Sequence, residues 1–530
     1  MRVTEYCLGK RVIMSLWLPN ELGLAPLEFL TRDEIRAIEF NEFIDGKSAW
    51  ELMQNAGKAV SQHLEQLSKS SFVFVIGPGN NGGDALVAAS HLSAKSNITV
   101  ILLKPPKTNE AKKAYQLLKE RKPDCVFIET TSLNIIKEKL NETEVIIDGI
   151  FGIGLESQIR EPYLAIINYF HTIRSDYQDI IISCVDIPSG LDCTTGQWYC
   201  EPYDPNFVVT MQFSKLAMKQ LKSTEIITAD IGFSDQYMYY VGPGHYLQMW
   251  PKRDPDSYKG KNGRVIVIGG SDGFTGAPVL AGMATLRTGV DSLRIAVPET
   301  IRDIVAGYAE DFIVLKVKGD KITSKGFNKY LDLTVTRHDV AVVGMGLSNH
   351  PECVKFVLDW FKFVNGKIKA VLDADAIRSF KGQLKLLENS GAIITPHKAE
   401  LRTLVGESVP DDPKELIEFV KTTAKNLGIV ILIKGRIDII TDGDRLLLNH
   451  TGHPGMTVGG TGDVLAGLVG AVNCFVEDKF YATAIASYIM GMAGESAAKK
   501  YGNSLLASDV VKEIPNVILG LEDYRDIYKS

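Results

Sequence analysis

Four aspartates sit where an apolar run breaks into glycine: Asp84 in GPGNNGGD (77–84), Asp148 in VIIDGIFGIGL (145–155), Asp186 in VDIPSGLD (185–192) and Asp463 in GGTGD (459–463). A carboxylate at the end of a buried strand can move a proton on a bound molecule. Glycine-flanked backbone N–H groups and a helix N-terminus beside it accept a phosphate or another anion. The first stretch is neither G-x-G-x-x-G with a ribose acid nor a Walker loop, because no Gly-Lys-Ser/Thr is present. Each residue also has a plainer use. Asp84 and Asp463 can cap the helices that follow, Asp148 and Asp186 can cap turns, and Ser189 after Pro188 can begin one. Convergence favours chemistry: three acid-bearing turns at one sheet edge meet in one cleft.

In the second half, GGTGD opens an apolar helical run, so backbone amides lie where negative charge would develop and Asp463 stands beside them. Such a carboxylate can take a hydroxyl proton while the amides steady a transferring phosphoryl group. LIKGRIDII (432–440) supplies a second nucleotide-type element, although Lys434 can equally snorkel from a strand end. His397 after Pro396 reads alone as a solvated turn residue. Asp373 and Asp375 can organise magnesium through water or cap the next helix. Cys474, on the apolar helix, reads as core.

Positioning these residues requires strands. SFVFVIG (71–77), NITVILL (97–103), CVFIE (125–129), EVIIDG (144–149), DIIISCVDIP (179–188) and NFVVTM (206–211) are apolar on both faces and separated by helix-length segments, the pattern of a covered parallel sheet. Residues 31–67 predict two helices, with Thr31 and Glu34 as a capping box. The rhythm breaks over 235–262 and resumes with GRVIVIGG, DSLRIAVP, DVAVVGMG, KAVLDAD, AIITP and IVILIKG. The expected fold is α/β with two doubly wound domains. The expected divisions are an extension over 1–29, a domain over 30–234, a linker over 235–258 and a domain over 259–520.

A formal charge of -6 gives no basic face for a nucleic acid, and no apolar run approaches membrane-spanning length. Seven scattered cysteines without a C-x-x-C pair suit a reducing compartment. A cytoplasmic protein is expected, without a cleavable leader; Met14 offers an alternative start.

Together GPGNNGGD, DGIFGIGL and DIPSGLD resemble the NAD(P)H-hydrate epimerase domain of bifunctional NAD(P)H-hydrate repair enzymes, over about residues 30–232. That resemblance implies a Rossmann-like N-terminal domain. Asn80, Asn81, Gly82, Gly83 and Asp84, with Gly152, Ile153, Gly154, Leu155, Glu156, Ser157 and Gln158, would line the hydrated dinucleotide. Asp186 would act at its ring, and Asn81, Asp148 and Ser189 would hold K+. Where the family reads GGDG this chain has Ala85, a methyl beside the substrate loop.

KGKNGRVIVIGGSDGFTGAP (259–278), GMGL (344–347), LDADAI (372–377), TPHKAEL (395–401), LIKGRIDII and HPGMTVGGTGDVLAG (453–467) resemble the ADP-dependent NAD(P)H-hydrate dehydratase domain, of ribokinase-like fold, over about 250–520. By that resemblance Ala277, Gly346, His397 and Asp463 contact the hydrate. Lys434, Gly435, Arg436, Ile437, Asp438 and Gly462 contact the adenine nucleotide, and Asp438 stands where the family more often has threonine.

The implied partners are NADH and NADPH hydrates and an adenine nucleotide, ADP or ATP, with Mg2+, in a homo-oligomer; no nucleic acid or membrane is expected. The implied reaction epimerises the R and S hydrates, phosphorylates the C6 hydroxyl of the S form and eliminates phosphate. A ribokinase-type sugar or vitamin kinase, a silent N-terminal binding module and an NAD-dependent dehydrogenase are the rival readings. GGSDGFTGAP and TPHKAEL weigh against the first, the three intact aspartates against the second, and GGTGD against the third.

Overall fold

A computed structural model describes residues 21–24, 27–122 and 124–529, so most of the predicted extension, with Met14 and Cys7, lies outside the described residues. The chain divides into a unit from residue 25 to 238 and a second from 239 onward, which the described residues 21–24 join.

In the first unit the capped helix Arg32–Ile44 and the helix Ala49–Gln66 precede β1 (Ser71–Ile76). The Thr31–Glu34 capping box forms, with Glu34 Oε2 accepting from the Thr31 N–H at 2.7 Å. Then follow β2 (Asn97–Leu102), β3 (Val126–Glu129), β4 (Val145–Gly149), β5 (Ile181–Val185), β6 (Phe207–Met211) and β7 (Glu225–Ala229). All pair in parallel in the order β3-β2-β1-β4-β5-β6-β7. Because strand side chains alternate faces, Phe72, Phe74 and Ile76 of β1 enter one core while Val73 and Val75 enter another on the opposite face. The order reverses between β1 and β4, so a crevice opens where their following turns part. Those turns are GPGNNGGD and the loop after Asp148.

The second unit starts inside the stretch read as a linker. Two short helices, Asp235–Tyr239 and Pro243–Met249, occupy it, and the buried Tyr246 donates its hydroxyl to Glu522 at 2.6 Å. Its sheet contains β8 (Arg264–Ile268), β9 (Ser292–Pro298), β10 (Ile313–Val317), β11 (Val340–Val343), β12 (Lys369–Leu372), β13 (Ile393–Ile394), β14 (Val430–Ile433), β15 (Asp438–Thr441) and β16 (Leu446–Asn449). The order is β10-β9-β8-β11-β12-β13-β14-β15-β16, parallel except for the antiparallel β14-β15-β16 end. Its reversal lies between β8 and β11, where the GGSDG and GMGL turns begin. The last helix continues to Lys529, past the predicted boundary at 520.

Candidate active sites

The helix after β1 begins at Asn80, with Gly79 as its cap residue, so Asp84 lies inside the helix and is not its N-cap. Gly82 and Gly83 are packing glycines. A Cβ on Gly82 would come within 2.1 Å of the Gly77 carbonyl oxygen, and one on Gly83 within 2.5 Å of Met53 Cε. Anion binding there would fall to the first-turn amides of Asn80, Asn81 and Gly82, the Gly83 amide being bonded to the Gly79 carbonyl at 3.1 Å. Ala85 is fully buried, and its methyl lies 2.7 Å from where a Cβ on Gly149 would stand. It fills the gap between helix and β4 rather than the substrate loop.

Asp148 is completely buried, and burial pushes its carboxyl up despite four donors: the Ser189 amide at 2.8 Å, the Ser189 hydroxyl at 2.6 Å, Tyr203 at 2.6 Å and the Ile150 amide at 3.2 Å. Asn81 is the reverse case, because neither polar atom of its buried amide has a protein partner. An orphaned amide oxygen among oxygen ligands fits a hard cation. Asp148, its acceptor sites filled, would contribute charge more than an open ligand. Among the described residues no group of three or more His, Cys, Asp and Glu side chains is placed to hold a metal ion, so carbonyl and amide oxygens would have to take part.

Asp186 follows β5 in a left-handed conformation at φ 69°, uncommon outside glycine. Its Oδ1 accepts from the Met211 amide at 3.1 Å and forms an ion pair with Lys215, which is 1% exposed and also donates to Thr210 Oγ1 at 2.7 Å. Sequence reasoning missed Lys215. It missed Arg32 too, whose guanidinium donates to the Ile153 carbonyl at 2.5 Å and the Leu155 carbonyl at 2.6 Å and thereby holds the otherwise solvent-facing 152–158 loop. Glu156 in that loop pairs with Arg36 at 3.3 Å.

In the second unit the helix Thr461–Phe475 carries Asp463 in its first turn, after Gly460 at φ 95°. Burial first, then the negative charge of Asp373, push the Asp463 carboxyl up to about 7, against the pull of Lys434. Lys434 Nζ lies 2.8 Å from Asp373 Oδ1 and 3.8 Å from Glu400 Oε2, and a Cβ on Gly462 would stand 3.4 Å from it. Lysine and helix N-terminus thus face one point. Thr395 donates to the same Asp373 oxygen at 2.8 Å.

His397 is exposed and caps the helix Lys398–Val405 through Nδ1, accepting from the Ala399 amide at 3.1 Å; its Nε2 lies 3.5 Å from Glu400. Glu400, buried at the centre of this network, was quoted within TPHKAEL yet not singled out. On the facing turn a Cβ on Gly346 would stand 3.4 Å from Ala277 Cβ, so those two predicted contacts adjoin.

Asp438 turns inward: its carboxylate accepts from Ser487 Oγ at 2.6 Å and the Gly435 amide at 3.0 Å, which closes the turn that exposes Gly435 and Arg436. Ile437 is buried behind them. Asp373 and Asp375 form no open carboxylate pair, since Asp375 accepts from the Ser348 amide at 2.8 Å and pairs with Arg378 at 3.2 Å. Cys474 is only partly buried. With Gly263, Asp339 and Lys369 it lines a cavity of about 360 Å³ at the amino ends of β8, β11 and β12, away from Asp463.

Comparison with known proteins agrees with this division. A family model described as NAD(P)H-hydrate dehydratase matches residues 265–516, and one described as YjeF-related protein N-terminus matches residues 49–217. A bifunctional NAD(P)H-hydrate repair enzyme of Archaeoglobus fulgidus is 34% identical over 504 residues, covering 94% of this chain and 100% of its own length. That of Pyrobaculum aerophilum is 35% identical over 505 residues, covering 93% and 98%. Among solved structures, an ADP/ATP-dependent NAD(P)H-hydrate dehydratase from Bacillus subtilis is 26% identical and covers 53% of this chain and 98% of its own, with a TM-score of 0.46. With two doubly wound units, a carboxylate–lysine site in each and full-length relatives of this identity, the chain belongs to the family of bifunctional NAD(P)H-hydrate repair enzymes.

Proposed function

We propose that this chain restores hydrated NADH and NADPH in two steps. The first unit interconverts the R and S hydrates, with Asp186 as an acid/base group. The second dehydrates the S form at the expense of an adenine nucleotide, ADP in the first instance and ATP as the alternative. One observation carries the reading: a half-buried Asp463 whose carboxyl is raised to about 7 stands at a helix N-terminus beside Lys434. A base with that pKa can take a hydroxyl proton near neutral pH.

Asp463 takes the proton from the C6 hydroxyl as the hydroxyl oxygen bonds the terminal phosphorus of the nucleotide and the bond from that phosphorus to its bridging oxygen breaks, its electron pair leaving with the nucleotide shortened by one phosphate. First-turn amides and Lys434 hold the charge on the transferring group. Phosphate, unlike hydroxide, then leaves readily; loss of the C5 proton restores the C5–C6 double bond and the reduced cofactor. Gly435 and Arg436 lie on the exposed turn where the nucleotide would rest, with Gly346, Ala277 and His397 toward the hydrate. In the first unit the substrate residues are the Asn80–Asp84 turn and the loop held by Arg32.

Mg2+ belongs, in this reading, on the nucleotide phosphates, because Asp373 and Asp375 are taken up by protein donors. Bound K+ would supply fixed positive charge near the dinucleotide, with Asn81 as its amide ligand and Asp148 and Ser189 behind it. A cytoplasmic homo-oligomer completes the proposal; among the described residues no helix is long and apolar enough to cross a membrane.

The test is recovery of reduced-nicotinamide absorbance from mixed R and S NADH hydrate with Mg2+, K+ and either ADP or ATP. Complete nucleotide-dependent recovery, lost in Asp463→Asn, is expected and names the donor. Recovery that stalls at the S fraction would remove the epimerase half, and none with either nucleotide would overturn the reading.

A further inference from the structure

Helix Arg32–Ile44 presents one face to the first site. Positions 32, 36 and 39 follow the i, i+4, i+7 spacing of a single helical face. Two of them reach the substrate loop, Arg32 through the Ile153 and Leu155 carbonyls and Arg36 through Glu156. The third, Glu39, shares that helix face, is partly buried, and interacts electrostatically with Asp186, Arg36 and Lys215 of the same site. It makes no hydrogen bond or ion pair with any described residue, and its strongest charged neighbour is Asp186, with Arg36 and Lys215 next and Asp84 alongside. A carboxyl in a largely buried cleft that no protein donor satisfies is available to a ligand.

We propose that Glu39 is a second catalytic residue of the first unit, exchanging a proton with the C6 hydroxyl while Asp186 serves the opposite transfer. The inference rests on the epimerase reading above. C6 of the hydrate bears both a hydroxyl and the ring nitrogen N1, so it is a hemiaminal carbon. Glu39 donates its proton to the C6 hydroxyl; the C6–O bond breaks with its electron pair to the departing water, and the N1 lone pair makes C6=N1. Water then bonds C6 from the other face, its electron pair forming C6–O as the C6=N1 pair returns to N1. Asp186 takes the proton released. One water leaves and one enters, no redox change occurs, and the proton returns from Asp186 to Glu39 within the cluster or through solvent.

The pairing suits the two environments. Asp186 is held in place by the Lys215 ammonium and the Met211 amide. Glu39 is pushed up to about 7, first by burial and then by Asp186, so it holds a proton at and below neutral pH. Arg36 and Lys215 pull the other way, and Asp84, itself raised by burial, adds to the crowding of acids.

The experiment uses full-length protein with K+ and no nucleotide, starting from (R)-NADH hydrate and separating the epimers chromatographically. A wild-type rate no faster than spontaneous interconversion would remove the epimerase reading itself. With an active wild type, Glu39→Gln is expected to lower kcat about 100-fold or more with KM little changed, the scale of a lost general acid. The fall of the wild-type rate above pH about 7 should vanish with it. Activity within threefold of wild type, with the pH profile intact, would overturn the proposal. Were Glu39→Gln not to fold, Glu39→Asp decides: a reduced kcat that keeps the pH limb supports it, and an unchanged kcat overturns it.

Discussion

Lys434 and Asp373 face each other across 2.8 Å at the carboxyl ends of β14 and β12, and the aspartate is only 2% exposed. A buried ion pair of this kind is weak evidence of net stabilisation, but breaking it strands a charge. Lys434→Met should therefore lower the unfolding free energy by about 3–5 kcal/mol in urea melts. The double variant with Asp373→Asn should recover much of that loss, and the difference measures the coupling.

Asp463 gives a pH prediction with a definite sign. As a base it works only deprotonated, so the dehydration rate of wild type should climb as pH rises through about 7. Asp463→Asn should be flat and about 100-fold slower or worse. Stability runs the other way. Because the folded-state carboxyl holds its proton longer than the unfolded one, the folded state loses stability as pH rises from the unfolded value toward about 7. The asparagine variant escapes that loss and should be more stable than wild type at pH 8, though not at pH 3, by melting temperature.

Two glycines allow each site to be closed separately. Gly344 has φ 130°, and a Cβ there would meet the Asp373 carbonyl oxygen at 1.8 Å; a Cβ on Gly77 would meet that of Ile150 at 2.1 Å. Backbone must move in both cases. Gly344→Ala should abolish nucleotide-dependent NADH recovery but leave epimer interconversion. Gly77→Ala should do the opposite when S hydrate alone is supplied to the second unit.

The unpartnered Asn81 amide predicts linkage to K+. Raising K+ at constant ionic strength should stabilise wild type, by about 2.7 kcal/mol at a hundredfold excess over Kd. Asn81→Leu should melt at the same temperature with or without the ion.

Much of this architecture was readable before any coordinates. Buried parallel strands write themselves as runs apolar on both faces, so β1, β2, β4 to β6, β8, β9 and β11 to β14 were anticipated from sequence, and the half-exposed edge strand β3 with them. β7 and β10 were not, although they are edges no more exposed than β3: EIITA and IVLKV are short runs set among charged and polar residues and did not stand out from them. The β15–β16 hairpin hid because its antiparallel strands are joined by the short turn DGDR rather than by a helix-length segment, so they fall outside the parallel strand–helix rhythm. At the sites, glycine-flanked aspartates were legible because turn chemistry is local. Glu39, Lys215 and Glu400 were not, since each gains its meaning from a partner that only the fold brings near. GPGNNGGD was half misread for a related reason: Gly82 answers to the Gly77 carbonyl at the head of the same turn and Gly83 to Met53 on a preceding helix, a packing demand that the turn pattern does not name.

Each unit closes its own sheet and builds its cleft from its own strand ends. A lesion that silences one site therefore need not cost the chain the other. Inheritance can test the two activities one at a time: a lineage that stops needing one could let its aspartate drift while still selecting the same gene for the other.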